Sequence, residues 1–104
     1  MKIHLNNLVK CSEIVRTRNV DLSFTWDLYS EISNIIRFLN GLEFKENELN
    51  LKDEQKDTFE KAMKVFIDLA NIGMKRGLLT WDEGSNVYAS IKEVNGFITK
   101  MKTN

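Results

Sequence analysis

Apolar residues recur along this chain every three or four positions, in four separate stretches. Leu5, Leu8, Cys11 or Ser12, and Val15 make one stripe. Leu28, Ile32, Ile35, Leu39 and Leu42 make a second. Phe59, Met63, Phe66, Ala70 and Gly73, widened by Ile67 and Leu69, make a third, and Val87, Ile91, Val94, Ile98 and Met101 a fourth. That period marks amphipathic helices with one buried face. It predicts helices from about Ile3 to Arg18, from Ser23 or Thr25 to Asn40-Gly41, from Asn50 or Asp53 to Arg76, and from Thr80 to about residue 102. The stretch between the second and third helices, from Leu42 to Asn50, is polar apart from Phe44 and Leu49. It reads as a surface linker that tucks those two side chains inward.

Helix ends are written in the residues between the stripes. Gly77 suits the left-handed position that ends a helix, and Asn19 is the tolerated substitute at the end of the first helix. Thr80 followed by Glu83 matches a capping box, in which each side chain satisfies an amide of the other's residue. Gly73, Gly84 and Gly96 fall inside helices at a cost of about 1 kcal/mol each relative to alanine, which points to close helix approach.

The chain also says nearly the same thing twice. Thr25-Trp26-Asp27 recurs as Thr80-Trp81-Asp82, and each copy is followed at the same distance by Asn-Gly, at Asn40-Gly41 and Asn95-Gly96. Without a gap, Ser30 falls on Ser85, Ile32 on Val87, Ile36 on Ile91 and Leu39 on Val94. Upstream, Leu5, Leu8, Val9, Cys11 and Ile14 fall on Met63, Phe66, Ile67, Leu69 and Ile72, and Arg18-Asn19 on Arg76-Gly77. Self-similarity of this kind argues for one supersecondary unit used twice. The expected fold is all-α, a four-helix bundle built from two pseudo-repeated antiparallel helix hairpins. One hairpin covers about residues 3–42 and the other about 51–102, with a linker at about 43–50, all in one domain.

Composition narrows the functional classes. A chain of 104 residues with 42% hydrophobic and 29% charged residues is an ordinary globular domain. Fifteen basic and fifteen acidic residues cancel, so no global field draws it to nucleic acid or to an anionic membrane. No stretch approaches the roughly 20 apolar residues of a membrane span, and the start lacks a signal-peptide core. The expected location is therefore cytoplasmic. Cys11 is the only cysteine and His4 the only histidine. The expectation is a core thiol and a surface imidazole, with no metal, no cofactor and no nucleophilic pair. Carboxylate pairs such as Asp53 with Asp57 lie among lysines on polar faces, where Asp57 to Lys61 and Glu60 to Lys64 are helix-stabilising pairs. No enzyme is expected.

Two repeated features remain as candidate sites. Trp26 and Trp81, each near a helix start, read either as a platform for a partner or as covers for the ends of the core, and the second reading is preferred. Arg16 and Arg18 end the first helix, while Lys75 and Arg76 end the third. They read as phosphate contacts or as cations complementing helix dipoles. The fourth helix is disfavoured as a reader of DNA bases, because Asp82 and Glu83 would face a polyanion.

The unit from Lys75 through Gly77 to Thr80-Trp81-Asp82-Glu83 resembles the helical corner of small uncharacterised α-helical hairpin proteins of phages. The stretch from Cys11 through Arg18 to Phe38-Leu39 is similar, with Asn19 in place of the glycine and a longer turn. The resemblance implies a viral origin and brings no activity or site. The functional expectation is a non-enzymatic protein-protein interaction protein, such as a viral regulator of a host protein or a small virion component. Its partner would be another protein or a second copy of itself in a homo-oligomer. The alternative is a nucleic-acid-binding helical protein that uses the basic helix ends.

Overall fold

The structure, a computed structural model, describes residues 1–18, 26–46 and 48–103, with the side chains of all of these except 26–29 and 103. Four helices account for most of it: α1 (Lys2–Arg18), α2 (Trp26–Asn40), α3 (Asp53–Lys75) and α4 (Trp81–Thr103). At about 1.5 Å per residue, α3 and α4 each run about 34 Å and α2 about 22 Å. The expected C′ role of Asn19, the turn over 20–24 and the caps at Ser23 or Thr25 lie outside the described residues.

Between α2 and α3 the expected surface linker is instead an antiparallel β-hairpin, β1 (Glu43–Lys45) and β2 (Glu48–Asn50). Three-residue strands carry too little periodicity to stand out in a sequence. The inward anchors are as expected: Phe44 sits opposite Leu49, Leu49 is buried, and Phe44 is half-buried beneath the Lys2 ammonium, 5.7 Å from the ring centroid. Glu46 in the connection has φ 54, in the left-handed region that non-glycine residues rarely adopt.

The third helix ends as its glycine predicts. Gly77 has φ 68, its N–H bonds the Met74 carbonyl at 3.2 Å, and the Leu78 N–H reaches back to the Gly73 carbonyl at 2.9 Å. That pair of bonds is a Schellman cap. The fourth helix starts as its capping box predicts, with the Thr80 N–H donating to Glu83 Oε1 at 2.8 Å and the Glu83 N–H to Thr80 Oγ1 at 3.2 Å.

The core draws on all four helices. Leu5, Leu8, Cys11, Ser12 and Val15 are buried on α1, and Ile32, Ile35 and Leu39 on α2. α3 buries Phe59, Ala62, Met63, Phe66, Leu69, Ala70 and Gly73. The α4 stripe is rotated from its expected position. Val87, Ser90 and Val94 are buried, whereas Ile91, Ile98 and Met101 are only half-buried. The hydroxyl at 90 hid this face from a reading of apolar period.

Backbones approach closely where α1 meets α3 and α4 and where α3 meets α4, while α2 reaches the core through its side chains without a comparable approach. At the α1–α3 crossing, a Cβ on Gly73 would stand 2.7 Å from Val15 Cγ2. Gly73 is therefore there for proximity, as expected. Gly84 and Gly96 are not, since a Cβ on either would meet open space. Between α2 and α3 an open groove remains, floored by Ile35, Phe38, Ala62 and Val65.

Candidate interaction surface at the start of the fourth helix

Two bonded turns fix the corner that carries Trp81. The Schellman cap sets the direction in which the chain leaves α3, and the capping box sets the start of α4 four residues later. A third tie comes from α1. Arg18 Nη1 donates to Glu83 Oε1 at 2.6 Å and to the Leu78 carbonyl at 3.0 Å. Glu83 thus serves the cap and the ion pair together. The Arg18 guanidinium bonded to it, and then the Thr80 N–H, hold its carboxyl below the usual range.

Trp81 is the first residue of α4, and its side chain is 93% exposed. The preferred expectation, that this tryptophan covers the end of the core, is wrong. The reason is geometric: the buried face of α4 runs through Val87, Ser90 and Val94, and Trp81 points away from it. Tyr88, seven residues on and so on the same face, is 66% exposed. Between them lie Gly84 and Ser85, and with Met74 and Leu79 across the corner they line a shallow depression. The result is an aromatic face with a small-residue floor and an aliphatic wall. Tyr88 follows a polar stretch, and its spacing of seven from Trp81 is the one signal the sequence offers for it.

The other candidate residues separate. Arg18 is committed to the corner, whereas Lys75 and Arg76 are exposed at the end of α3, next in sequence to the Met74 wall. Arg16 is exposed on α1. Trp26 is the first residue of α2, as Trp81 is of α4, and its side chain lies outside the described residues. Of the expected acid–base pairs, Asp57 holds Lys61 at 3.1 Å, while Glu60 pairs with Lys102 of α4.

His4 is not a surface histidine. It is half-buried, its Nδ1 lies 3.0 Å from Ser90 Oγ, and Asn7 Nδ2 donates to the same oxygen at 3.0 Å. A serine beside an imidazole is the start of a nucleophilic pair, but this serine is fully buried, with 0% exposure. Its second partner is an amide that donates to the hydroxyl, so the trio acts as a polar clasp between α1 and α4. Cys11 is buried in the core, and burial, followed by the charge of Glu83, raises its thiol to about 11. Such a thiol stays protonated at neutral pH. Among the described residues no three His, Cys, Asp or Glu side chains converge to hold a metal, and no helix is long and apolar enough to cross a membrane.

No protein-family model matches the chain, and no curated protein or solved structure matches it either.

Proposed function

We propose that this is a non-enzymatic helical interaction protein that engages a protein partner through the Trp81–Tyr88 face of α4. The observation that carries the reading is the exposure of Trp81 at a corner held by three sets of hydrogen bonds. Large exposed aromatic side chains on rigid supports are the typical anchors of protein interfaces. Leaving a tryptophan in water gives up roughly 2 kcal/mol of burial energy that a partner surface would recover. The finer expectation, a viral regulator of a host protein or a small virion component, belongs with this proposal. So does the reading of the fold as two pseudo-repeated hairpins. Supporting the latter, aligned positions share burial: Leu8 with Phe66, Cys11 with Leu69, Ile32 with Val87 and Leu39 with Val94 are buried pairs, and Val9 with Ile67 and Ile36 with Ile91 are half-buried pairs. Val15 and Gly73, which also align, touch each other, as equivalent residues beside a twofold axis do.

Nucleic-acid binding through Arg16, Arg18, Lys75 and Arg76 is the weaker reading, because Arg18 is neutralised by Glu83. The test is capture of partners from lysate of the native host by the tagged protein, with nuclease, for wild type and for Trp81→Ala. A stoichiometric protein that survives nuclease and is lost on Trp81→Ala is the expected result. Material recovered only without nuclease would overturn the proposal, as would a partner indifferent to Trp81 and Tyr88.

A further inference from the structure

The dipeptide Asn-Gly stands at aligned places in the two halves of the chain, Asn40-Gly41 and Asn95-Gly96, and nowhere else. It is the pair in which asparagine loses ammonia most readily, because glycine has no side chain to keep its backbone nitrogen from the asparagine amide carbon. We infer that Asn40 is a site of spontaneous deamidation in the folded protein, and that Asn95 is shielded from the same reaction. The chemistry needs only water and base. The Gly41 nitrogen gives up its proton to hydroxide and attacks the Asn40 Cγ, the Cγ–Nδ2 bond breaks, and ammonia leaves with a proton from water. Water then opens the succinimide ring at one of its two carbonyls, which leaves aspartate or isoaspartate.

Both asparagines are exposed, so access of water does not separate them. What separates them is the hold on the peptide group that must turn, since helical backbone angles keep the glycine nitrogen away from the side chain it has to attack. Asn95 lies inside α4, about two turns before the helix ends at Thr103. Its carbonyl, part of the peptide bond to Gly96, also accepts a hydrogen bond from Thr99 Oγ1 at 2.9 Å. Phe97, next in the chain, meets the buried Phe59 edge to face, with 5.6 Å between ring centroids. Turning this peptide therefore costs helical bonds and that ring contact together.

Asn40 is instead the last residue of α2. The Gly41 N–H is shared between the Phe38 carbonyl at 3.1 Å and the Arg37 carbonyl at 3.3 Å, two long bonds in place of one short one. The last turn of a helix opens at little cost, so this N–H comes free without loss of the core. Leu39 and Leu42 are buried on either side, and only the peptide between them has to turn. The product sets a carboxylate at the negative end of the α2 dipole, in a depression it shares with Lys2 and Asn6. Isoaspartate also adds a backbone carbon to the short link from α2 to β1. One copy of the repeat thus ages while the other keeps its amide.

The test is peptide mapping by mass spectrometry of the protein held folded at mildly alkaline pH, with deamidation scored separately at the two dipeptides. Folded wild type is expected to deamidate at Asn40 at least about tenfold faster than at Asn95, and in urea the two rates should agree within about twofold. Gly41→Ala should slow the loss at Asn40 at least about tenfold and leave Asn95 unchanged. That variant keeps the turn, because Gly41 has no positive φ and a Cβ there would stand 3.6 Å from the Phe38 carbonyl oxygen, an ordinary contact. Equal rates in the folded chain, faster loss at Asn95, or an Asn40 that persists while the urea-unfolded chain converts would each overturn the inference. So would a tenfold difference that remains in urea, which would assign it to local sequence, or undiminished conversion in Gly41→Ala.

Discussion

The α1–α4 seam and the α2–α3 groove are built from aligned positions, yet one is closed and the other open. At the seam, Ser90 is small enough to let the two backbones approach, and its hydroxyl serves both His4 and Asn7. At the groove, Ile35 stands where Ser90 would be, with Ala62 and Val65 opposite in place of the two polar side chains. Connection length differs as well: seven residues separate Arg18 from Trp26, against four between Arg76 and Trp81. The short corner before α4 is capped at both ends, which leaves α4 little choice of position. Similar apolar periods therefore yield different interfaces when side-chain volume and connection length diverge.

The strongest way to break this comparison is at the α1–α3 crossing. Gly73→Val should cost about 3 kcal/mol in urea denaturation, because the new side chain meets Val15. The exchange Val15→Gly with Gly73→Val should recover at least half of that loss, since it moves the bulk across the crossing. Simple additivity of the two losses would argue against a shared contact.

Next in size is the clasp. Ser90→Ala should cost about 1–2 kcal/mol by leaving two half-buried groups without a partner. Combined with Asn7→Ala it should cost less than the sum of the single changes, and full additivity would mean the bonds contribute nothing. The β-hairpin between α2 and α3 offers a gain. Glu46→Gly should raise stability by about 1 kcal/mol by removing the left-handed penalty, read as a higher melting temperature.

The smallest effect concerns pH. The Glu83 carboxyl has a lower pKa in the folded chain than its ordinary 4.5. It binds its proton more weakly when folded, so the contribution of the Arg18–Glu83 corner is present above about pH 4.5 and is lost as the pH falls through the folded value. Glu83→Gln should flatten that acid limb, and an unchanged slope would assign it to other carboxylates. Cys11 acts at the other extreme. Its raised thiol predicts a loss of stability between pH 9.0 and about 11, absent in Cys11→Ala.

Much of the fold was legible in the sequence because burial follows the 3.6-residue period. The stripes on α1 and α3, the Schellman glycine and the capping box all appear where their residues predict. What escaped had a common cause: a polar atom or an aromatic ring on the face where its type is unusual. Ser90 carries no apolar signal, because its burial depends on two partners more than 80 positions away in sequence. His4 reads as a surface residue for the same reason. Trp81 reads as a core cover because large aromatics usually are buried, and no local signal distinguishes an exposed tryptophan at a helix start from a covered one. The candidate surface was thus half visible, in the Thr-Trp-Asp repeat, while Met74, Leu79 and Tyr88 joined it only through the fold.

The clasp between His4 and Ser90 has a consequence for how the chain is made. The helix that meets both long helices at close range is made before the other three, and its polar partner comes 86 residues later. At about 5–20 residues per second, roughly 4–17 s pass between the two, and for that interval the side of α1 that faces α4 has no native surface to lie against, while α3 is already made by residue 75. A chaperone that recognises such a face, or a rearranged chain in which α4 is translated before α1, would act on the same vulnerable moment in the life of the protein.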